Sequence, residues 1–148
     1  MPFKRSFRMR RIDMKQKPIV RCVDMIASRG DSYVVIERLS TPLGLAFPGG
    51  KIEAGETPVG AIVREFGEET GFSLEVLGVI GFYDDAKRDR RGRYVSTVMH
   101  GRAYGVPREE PGKTRVHCMH ASEIMARHRE FVSDHFRMFT DFTQQYSV

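Results

Sequence analysis

The segment that most restricts the fold is residues 57–71, TPVGAIVREFGEETG, because it carries helix signals at both ends. Thr57 is a preferred N-cap residue, and Pro58 suits the first helical position, where the backbone N–H has no partner. Gly71 suits the left-handed conformation that commonly follows the last turn. A stripe on one side of this helix would face the core, and it comprises Val59, Ile62, Val63 and Phe66. The segment therefore predicts one amphipathic helix.

The same helix gathers acidic side chains where an isolated helix would not favour them. Glu65, Glu68 and Glu69 share one face, and like charges at these spacings repel by about a few tenths of a kcal/mol per pair. They also lie in the C-terminal half, where the helix dipole disfavours negative charge. A bound divalent cation would reverse this balance, since Mg²⁺ prefers carboxylate oxygens. The alternative is a solvated acidic face paired with Arg and Lys.

The rest of the chain predicts a mixed α/β architecture. Residues 17–28 and 31–39 are rich in β-branched residues and indicate two strands joined by a short turn. A loop follows with a brief strand over 45–47, and further strands are predicted over 73–85, 93–105 and 114–119. One or two helices should occupy the last 25 residues or so. This order favours an α/β sandwich over a doubly wound sheet.

Composition and charge restrict the function further. The chain has 148 residues and a net charge of +5, and residues 1–21 hold eight Lys or Arg residues against Asp13. We expect a basic arm over 1–16 and one domain over 17–148. Nucleic-acid binding by the arm is unlikely on this evidence alone, because such arms are as often solvated. Without a long apolar run or a secretory signal, the expectation is a cytoplasmic protein that does not cross a membrane.

A longer pattern around the helix resembles the Nudix box, G-x5-E-x7-R-E-U-x-E-E-x-G-U. Its nine fixed positions are matched by Gly50, Glu56, Arg64, Glu65, Phe66, Glu68, Glu69, Gly71 and Phe72. The resemblance implies an α/β/α sandwich with a mixed sheet and hydrolysis of a nucleoside diphosphate linked to another group, using Mg²⁺ or Mn²⁺. It also implies metal binding by Glu65, Glu68, Glu69 and the Gly50 carbonyl. Glu65 and Glu68 would be catalytic, with Arg64 and Glu56 orienting the loop and the helix.

A second resemblance concerns the substrate. Residues 81–98 are similar to a stretch found in ADP-ribose pyrophosphatases and nucleoside diphosphate sugar hydrolases. The matching positions are Tyr83, Asp85, Arg88, Asp89, Arg91, Gly92, Val95 and Ser96, and Asp134 and His135 match the entry to that branch's last helix. The predicted substrate contacts are Arg88, Arg91, Tyr83, Ser96 and Phe47. Two prolines of the branch are replaced by Ala86 and Arg90, which weakens the case for ADP-ribose itself. Arg88 and Arg91 could alternatively form a charged hairpin tip.

Several alternatives stay open at this point. The general base would be a box carboxylate or one of Glu109 and Glu110, which lie in a later loop. Other functions consistent with the box are hydrolysis of an oxidised nucleoside triphosphate, regulation by ADP-ribose binding without cleavage, and RNA cap removal. The expected partners are a small nucleotide substrate and a second copy of the chain in a homodimer.

Overall fold

The computed structural model describes residues 18–85 and 92–146. Within these residues the elements follow one another as strands β1 to β4, a helix, strands β5 to β7, and two helices. Their bounds are β1 Ile19–Arg29, β2 Ser32–Arg38, β3 Gly44–Ala46, β4 Gly49–Lys51, α1 Pro58–Thr70, β5 Ser73–Tyr83, β6 Arg93–Tyr104, β7 Thr114–His120, α2 Ala121–Ala126 and α3 His135–Tyr146, with a 3₁₀ turn over His128–Glu130.

The sheet is mixed, and its pairing places a glycine-rich strand beside the centre of β1. Strand β1 runs parallel to β6, whereas β5 and β6 are antiparallel. Strand β1 pairs with β2 only next to their turn, and further along it pairs with β4, with Asp24 opposite Gly49 and Val23 opposite Gly50. Strand β2 continues instead beside β3 and β7. This divergence leaves room for the Gly49–Gly50 segment between β1 and the first helix.

Two apolar cores lie on opposite faces of the sheet, because side chains alternate along each strand. Val23 and Met25 of β1 pack on one face with Ile62 and Phe66 of α1. Ile26 belongs to the other core, which contains the aromatic side chains of α3. Its centre is a group of rings around Phe47, which stacks on Phe131 and Phe139 at centroid distances of 5.4 and 5.9 Å. Helices on both faces of a mixed sheet form the predicted α/β/α sandwich.

Local signals located the helix well but misplaced part of its buried face. Thr57 caps α1 by accepting the Gly60 N–H at 3.1 Å, and Gly71 ends it at φ +75°. The prediction that Val59 and Val63 face the core is wrong, since they are 50% and 43% exposed. Glu69 is buried instead, because the packed face is rotated towards the Gly49–Gly50 segment. The short strand β4 was not predicted, since two glycines give no strand signal.

No helix within residues 18–85 and 92–146 has the length and apolar character needed to span a membrane.

Gly71 ends α1 and also lets the loop that carries Arg108 pack closely on the helix. A pair of glycine substitutions can measure how much this packing contributes to the free energy of unfolding. A Cβ at Gly71 would lie 2.7 Å from the backbone nitrogen of Arg108, which donates to Thr70 O. Gly55 also has a positive φ of +81°, but in the described part of the chain nothing lies within 4 Å of a Cβ there. We expect Gly55→Ala to cost about 1–2 kcal/mol through backbone strain. Gly71→Ala should cost more, because the loop carrying Arg108 must also move.

Urea unfolding of both variants checks this expectation. Both substitutions change the unfolded chain in the same way, so the difference between them reports the packing of the loop on α1. Equal losses of unfolding free energy would contradict the proposed contact.

Candidate active site

Arg64 of α1 binds charged groups both on the loop after β4 and on the helix itself. Its Nε donates to Glu56 Oε2 at 2.8 Å and its Nη2 to Glu56 Oε1 at 2.7 Å, a bidentate pair between the loop and the helix. Nη2 also donates to the backbone oxygen of Lys51 at 3.1 Å. The Arg64 guanidinium, together with the Glu53 N–H, lowers the pKa of Glu56 to about 2. Glu56 therefore stays ionised at neutral pH and fixes the loop to α1.

The same guanidinium also reaches two of the helix carboxylates. Nη1 of Arg64 donates to Glu65 Oε1 at 3.0 Å and to Glu68 Oε2 at 3.4 Å. These carboxylates therefore project on one side of α1, as the helical spacing predicts. Burial raises the pKa of Glu65, and the Arg64 hydrogen bond only partly offsets that effect. Glu68 is more exposed, at 56% of its side chain.

Glu69 has a different environment from its two neighbours. It is 9% exposed, and its Oε1 accepts the backbone N–H of Gly49 at 3.1 Å. Burial raises the pKa of Glu69 to about 8, and the negative charges of Glu65, Asp24 and Glu110 add to the effect. A buried carboxylate among other carboxylates is unfavourable when ionised, unless a cation lies nearby. This part of the site therefore favours a positive ligand.

The backbone at Gly49 and Gly50 passes too close to these groups for any larger residue. A Cβ on Gly50 would lie 2.3 Å from Glu65 Cδ and 2.5 Å from both carboxylate oxygens. A Cβ on Gly49 would lie 2.1 Å from the Val23 oxygen and 2.4 Å from Asp24 Oδ1. Glycine is needed at both positions because the strand is packed between β1 and the carboxylates.

The donor set fits a hard divalent cation. Carboxylate and backbone oxygens are the ligands that Mg²⁺ and Mn²⁺ prefer. Here they surround the backbone of Gly49 and Gly50, which we call the glycine cradle, in a space that a Cβ would fill. Across residues 18–85 and 92–146, no three His, Cys, Asp or Glu side chains already stand in a metal-binding group. Glu65 and Glu68 point instead to Arg64. The Glu65 carboxylate already lies against Gly50, whereas binding a cation there would require Glu68 to turn away from Arg64.

A cavity of about 840 Å³ opens beside this cradle. Glu69, Gly49 and Gly50 form part of its wall, and the N-terminal end of α3 forms another part. Positive side chains from separate elements also line it, namely Arg38, Lys51 and Arg137. The volume is in the range of small-molecule pockets, which is about 300–1,000 Å³. Acidic and basic groups that line one cavity suit a ligand that carries phosphate with a metal ion.

The predicted substrate contacts do not all reach this cavity. Phe47 lines it but is 1% exposed, so its ring serves mainly the aromatic core. Tyr83 and Ser96 do not line the cavity, and both side chains point inward. The Tyr83 hydroxyl donates to Asp141, and the fully buried Ser96 hydroxyl donates to Asp24 Oδ2. The sequence match did not predict which side chains of β5 and β6 face the core.

Two further predicted contacts, Arg88 and Arg91, lie outside the described residues, as does the basic arm over 1–16. The sequence also missed residues that the fold brings to the cavity: Arg38, Lys51, Tyr94 and Arg137. Lys51 directly follows the glycine pair, a position that could have drawn attention. Arg38 gave no sequence signal, since its place depends on hydrogen bonds to the Pro42 and Thr41 oxygens at 2.8 and 3.4 Å.

The two acidic residues of the later loop are used differently. Glu109 Oε1 accepts the Val116 N–H at 3.1 Å, which turns its carboxylate towards β7. Glu110 pairs with Lys113 at 3.3 Å, and its charge raises the pKa of both Glu65 and Glu69. Glu110 is therefore close enough for its charge to act on Glu65 and Glu69.

Comparison with known proteins agrees with this geometry. A profile of the NUDIX domain matches residues 15–142. An ADP-ribose pyrophosphatase of Methanocaldococcus jannaschii is 40% identical over 78 residues, which are 51% of this chain and 46% of the relative. An 8-oxo-dGTP diphosphatase of Escherichia coli is 66% identical over 29 residues, 20% of this chain and 22% of the relative. The chain thus matches less than half the length of either relative.

A solved structure shares the fold over most of the chain. It is a bifunctional NMN adenylyltransferase/ADP ribose pyrophosphatase of Francisella tularensis, complexed with AMP and a Mn ion. The TM-score is 0.78 at 25% identity, covering 87% of this chain and 42% of that one.

The raised pKa of Glu69 predicts a pH-dependent stability for the metal-free protein. The folded value of about 8 exceeds the unfolded value of 4.5, so between these values the folded state holds an extra proton. Stability should therefore fall as pH rises from 5 to 8, by at most about 1.4 kcal/mol per pH unit. Glu69→Gln should flatten this dependence, because an amide does not titrate, and its oxygen can still accept the Gly49 N–H.

Urea unfolding in the presence of a chelator, at pH 5.5, 7 and 8.5, compares the two proteins. Parallel pH curves for wild type and Glu69→Gln would show that Glu69 does not hold the proton.

Proposed function

The chain belongs to the NUDIX domain family, and we propose that it is a metal-dependent pyrophosphohydrolase acting on ADP-ribose or a related nucleoside diphosphate sugar. The products would be a nucleoside monophosphate and a sugar phosphate. The observation that carries the proposal is the carboxylate face of α1 packed against Gly49–Gly50, at the wall of a cavity of about 840 Å³. The cavity is large enough for a nucleotide with an attached sugar.

Each part of the site has a role in this reaction. Glu65, Glu68, Glu69 and the Gly50 carbonyl would hold Mg²⁺ or Mn²⁺, which when bound neutralises phosphate charge and lowers the pKa of a bound water. Arg64 and Glu56 keep the loop and helix in register, so the Gly50 backbone stays beside the carboxylates of α1.

The cations lining the cavity would bind the rest of the substrate. Lys51 lies next to the glycine cradle in sequence, and Arg137 projects from the first turn of α3. Arg and Lys are the usual partners of phosphate oxygens. Arg38 is held in place by backbone oxygens, which suits a fixed contact to the sugar or its phosphate. Arg88 and Arg91 stay predicted contacts.

We assign the role of general base to Glu110 rather than Glu109. The loop carrying it is anchored to the end of α1, where the Arg108 N–H donates to Thr70 O at 2.7 Å. The charge of Glu110 acts on Glu65 and Glu69, which puts a proton acceptor beside the groups that would hold metal-bound water. Glu109 is engaged by the Val116 N–H.

The relatives support the choice of substrate class. One is named an ADP-ribose pyrophosphatase, and the Francisella structure holds AMP, which is the nucleotide product expected from ADP-ribose. The second candidate is hydrolysis of an oxidised nucleoside triphosphate, favoured by the 29-residue match to the Escherichia coli enzyme. That match covers only 20% of the chain, so it says less about the cavity. A homodimer stays a prediction.

A substrate panel tests the proposal. ADP-ribose, GDP-mannose, UDP-glucose, NADH, diadenosine polyphosphates and 8-oxo-dGTP would be offered with Mg²⁺, with Mn²⁺ and with a chelator, and products would be separated by chromatography. We expect a nucleoside monophosphate with a sugar phosphate, and no cleavage with the chelator. Cleavage of triphosphates alone would favour the second candidate. Binding of ADP-ribose without cleavage would indicate a regulator.

Two matched variants test the base. Glu110→Gln should lower kcat by about 100-fold or more, the usual contribution of a general base, with a smaller effect on KM. Glu109→Gln should leave kcat near the wild-type value, because the amide oxygen can still accept the Val116 N–H. Equal kcat values for wild type and Glu110→Gln would return the role to a carboxylate of the box.

A further inference from the structure

Two buried polar residues from distant parts of the sequence meet at the cavity wall. Asp24 of β1 and His135 at the start of α3 are each 8% exposed, and both line the cavity. Nε2 of His135 lies 3.8 Å from Asp24 Oδ1, and Asp24 Oδ2 accepts the Ser96 hydroxyl. Neither residue belongs to the nine fixed positions of the box, and the reaction described above gives them no task.

The backbone geometry fixes the protonation of the His135 ring. The Phe47 N–H donates to Nδ1 at 2.9 Å, and the two rings are stacked with an interplanar angle of 3°. Because Nδ1 accepts a hydrogen bond, the neutral ring carries its proton on Nε2. The Asp24 carboxylate faces Nε2 and favours the same tautomer, although 3.8 Å is too long for a direct hydrogen bond.

The segment that His135 binds continues directly into the glycine cradle. Three successive residues each use a backbone group to bind a different element. The Phe47 N–H donates to His135, the Pro48 oxygen accepts from the Met25 N–H at 2.9 Å, and the Gly49 N–H donates to Glu69 at 3.1 Å. The segment is thus tied to α3, β1 and α1 in turn. Releasing the first bond would loosen the approach of Gly49 to Glu69.

We propose that His135 is a positioning residue for the carboxylate site, acting through Phe47 and Gly49 on Glu69. Its Nδ1 is the functional atom, and the hydrogen bond from the Phe47 N–H keeps that atom unprotonated, while the Asp24 carboxylate faces Nε2. The consequence for turnover rests on the proposed function, whereas the consequence for the backbone and for metal binding does not. Partners of this kind change metal affinity or activity by about 10- to 100-fold when removed.

Two amide variants separate the two ring nitrogens. In His135→Asn the side-chain oxygen lies near the place of Nδ1 and can accept the Phe47 N–H. In His135→Gln the amide extends towards the place of Nε2 instead. We expect His135→Gln to weaken Mn²⁺ binding and lower kcat by on the order of 10-fold or more, with KM little changed. His135→Asn should stay close to wild type in both.

Four measurements decide the matter. Calorimetric titration with Mn²⁺ measures metal binding without turnover, and thermal unfolding shows whether the variants are folded. Amide hydrogen exchange should show faster exchange at Phe47 and Gly49 in His135→Gln than in His135→Asn. In the wild-type protein, ¹⁵N NMR of the His135 ring should show the proton on Nε2, a result that needs no variant.

The outcomes that overturn the proposal are distinct from failure of the proposed function. A proton on Nδ1, or Mn²⁺ binding that is equal in wild type and His135→Gln, would exclude positioning through Nδ1. A raised KM with normal Mn²⁺ binding in His135→Asn would assign His135 to direct substrate contact through Nε2. If wild type cleaves no substrate in the panel, the proposed function fails, yet the NMR, exchange and Mn²⁺ measurements still test the positioning role.

Discussion

The bidentate pair between Arg64 and Glu56 is the contact on which the other parts of the site depend. A planar guanidinium can bind one carboxylate through two N–H groups while its remaining donors reach other oxygens, and here those are the Lys51 carbonyl, Glu65 and Glu68. A lysine has no such fork. Without the pair, the loop after β4 would keep only the longer contact of 3.7 Å between Glu53 and Arg64 among the charged links in the described part of the chain, and the glycine cradle would be held less firmly against the carboxylates of α1.

Around that fixed pair, two carboxylates 13 positions apart, Glu56 and Glu69, have pKa values shifted in opposite directions. Glu56 has a pKa of about 2 because Arg64 and a backbone N–H bind it, whereas Glu69 has a pKa of about 8 because it is buried among other acids. The first serves the structure as a permanent anion. The second is costly as an anion in the metal-free protein, and a divalent cation would remove that cost. The fold therefore loses stability at Glu69 that a bound divalent cation would restore.

How far sequence predicts such a site depends on the range of the interactions involved. The ends of α1 follow from Thr57, Pro58 and Gly71, which act on neighbouring backbone groups, and the spacing of Glu65 and Glu68 follows from helix geometry. The burial of Glu69 and the inward direction of Ser96 depend on which strands lie beside them. Those contacts join residues 20 and 72 positions apart. No local sequence pattern predicts these contacts. The match to a family motif therefore predicted a substrate contact for Ser96, whereas in the sheet its hydroxyl donates to Asp24.

The same long-range contacts connect the two ends of the cavity. The Phe47–Gly49 segment is bound to α3 at one residue and to α1 two residues later, with β1 between them. Phe47 also stacks on Phe131 and Phe139 in the core that contains the aromatic side chains of α3, so its backbone cannot shift without disturbing those two rings. The Phe47–Gly49 segment therefore connects the aromatic core and the start of α3 to the carboxylates of α1. A substitution in the core of α3 that moves Phe47 should therefore also move Gly49 relative to Glu69, although the substituted side chain contacts neither residue.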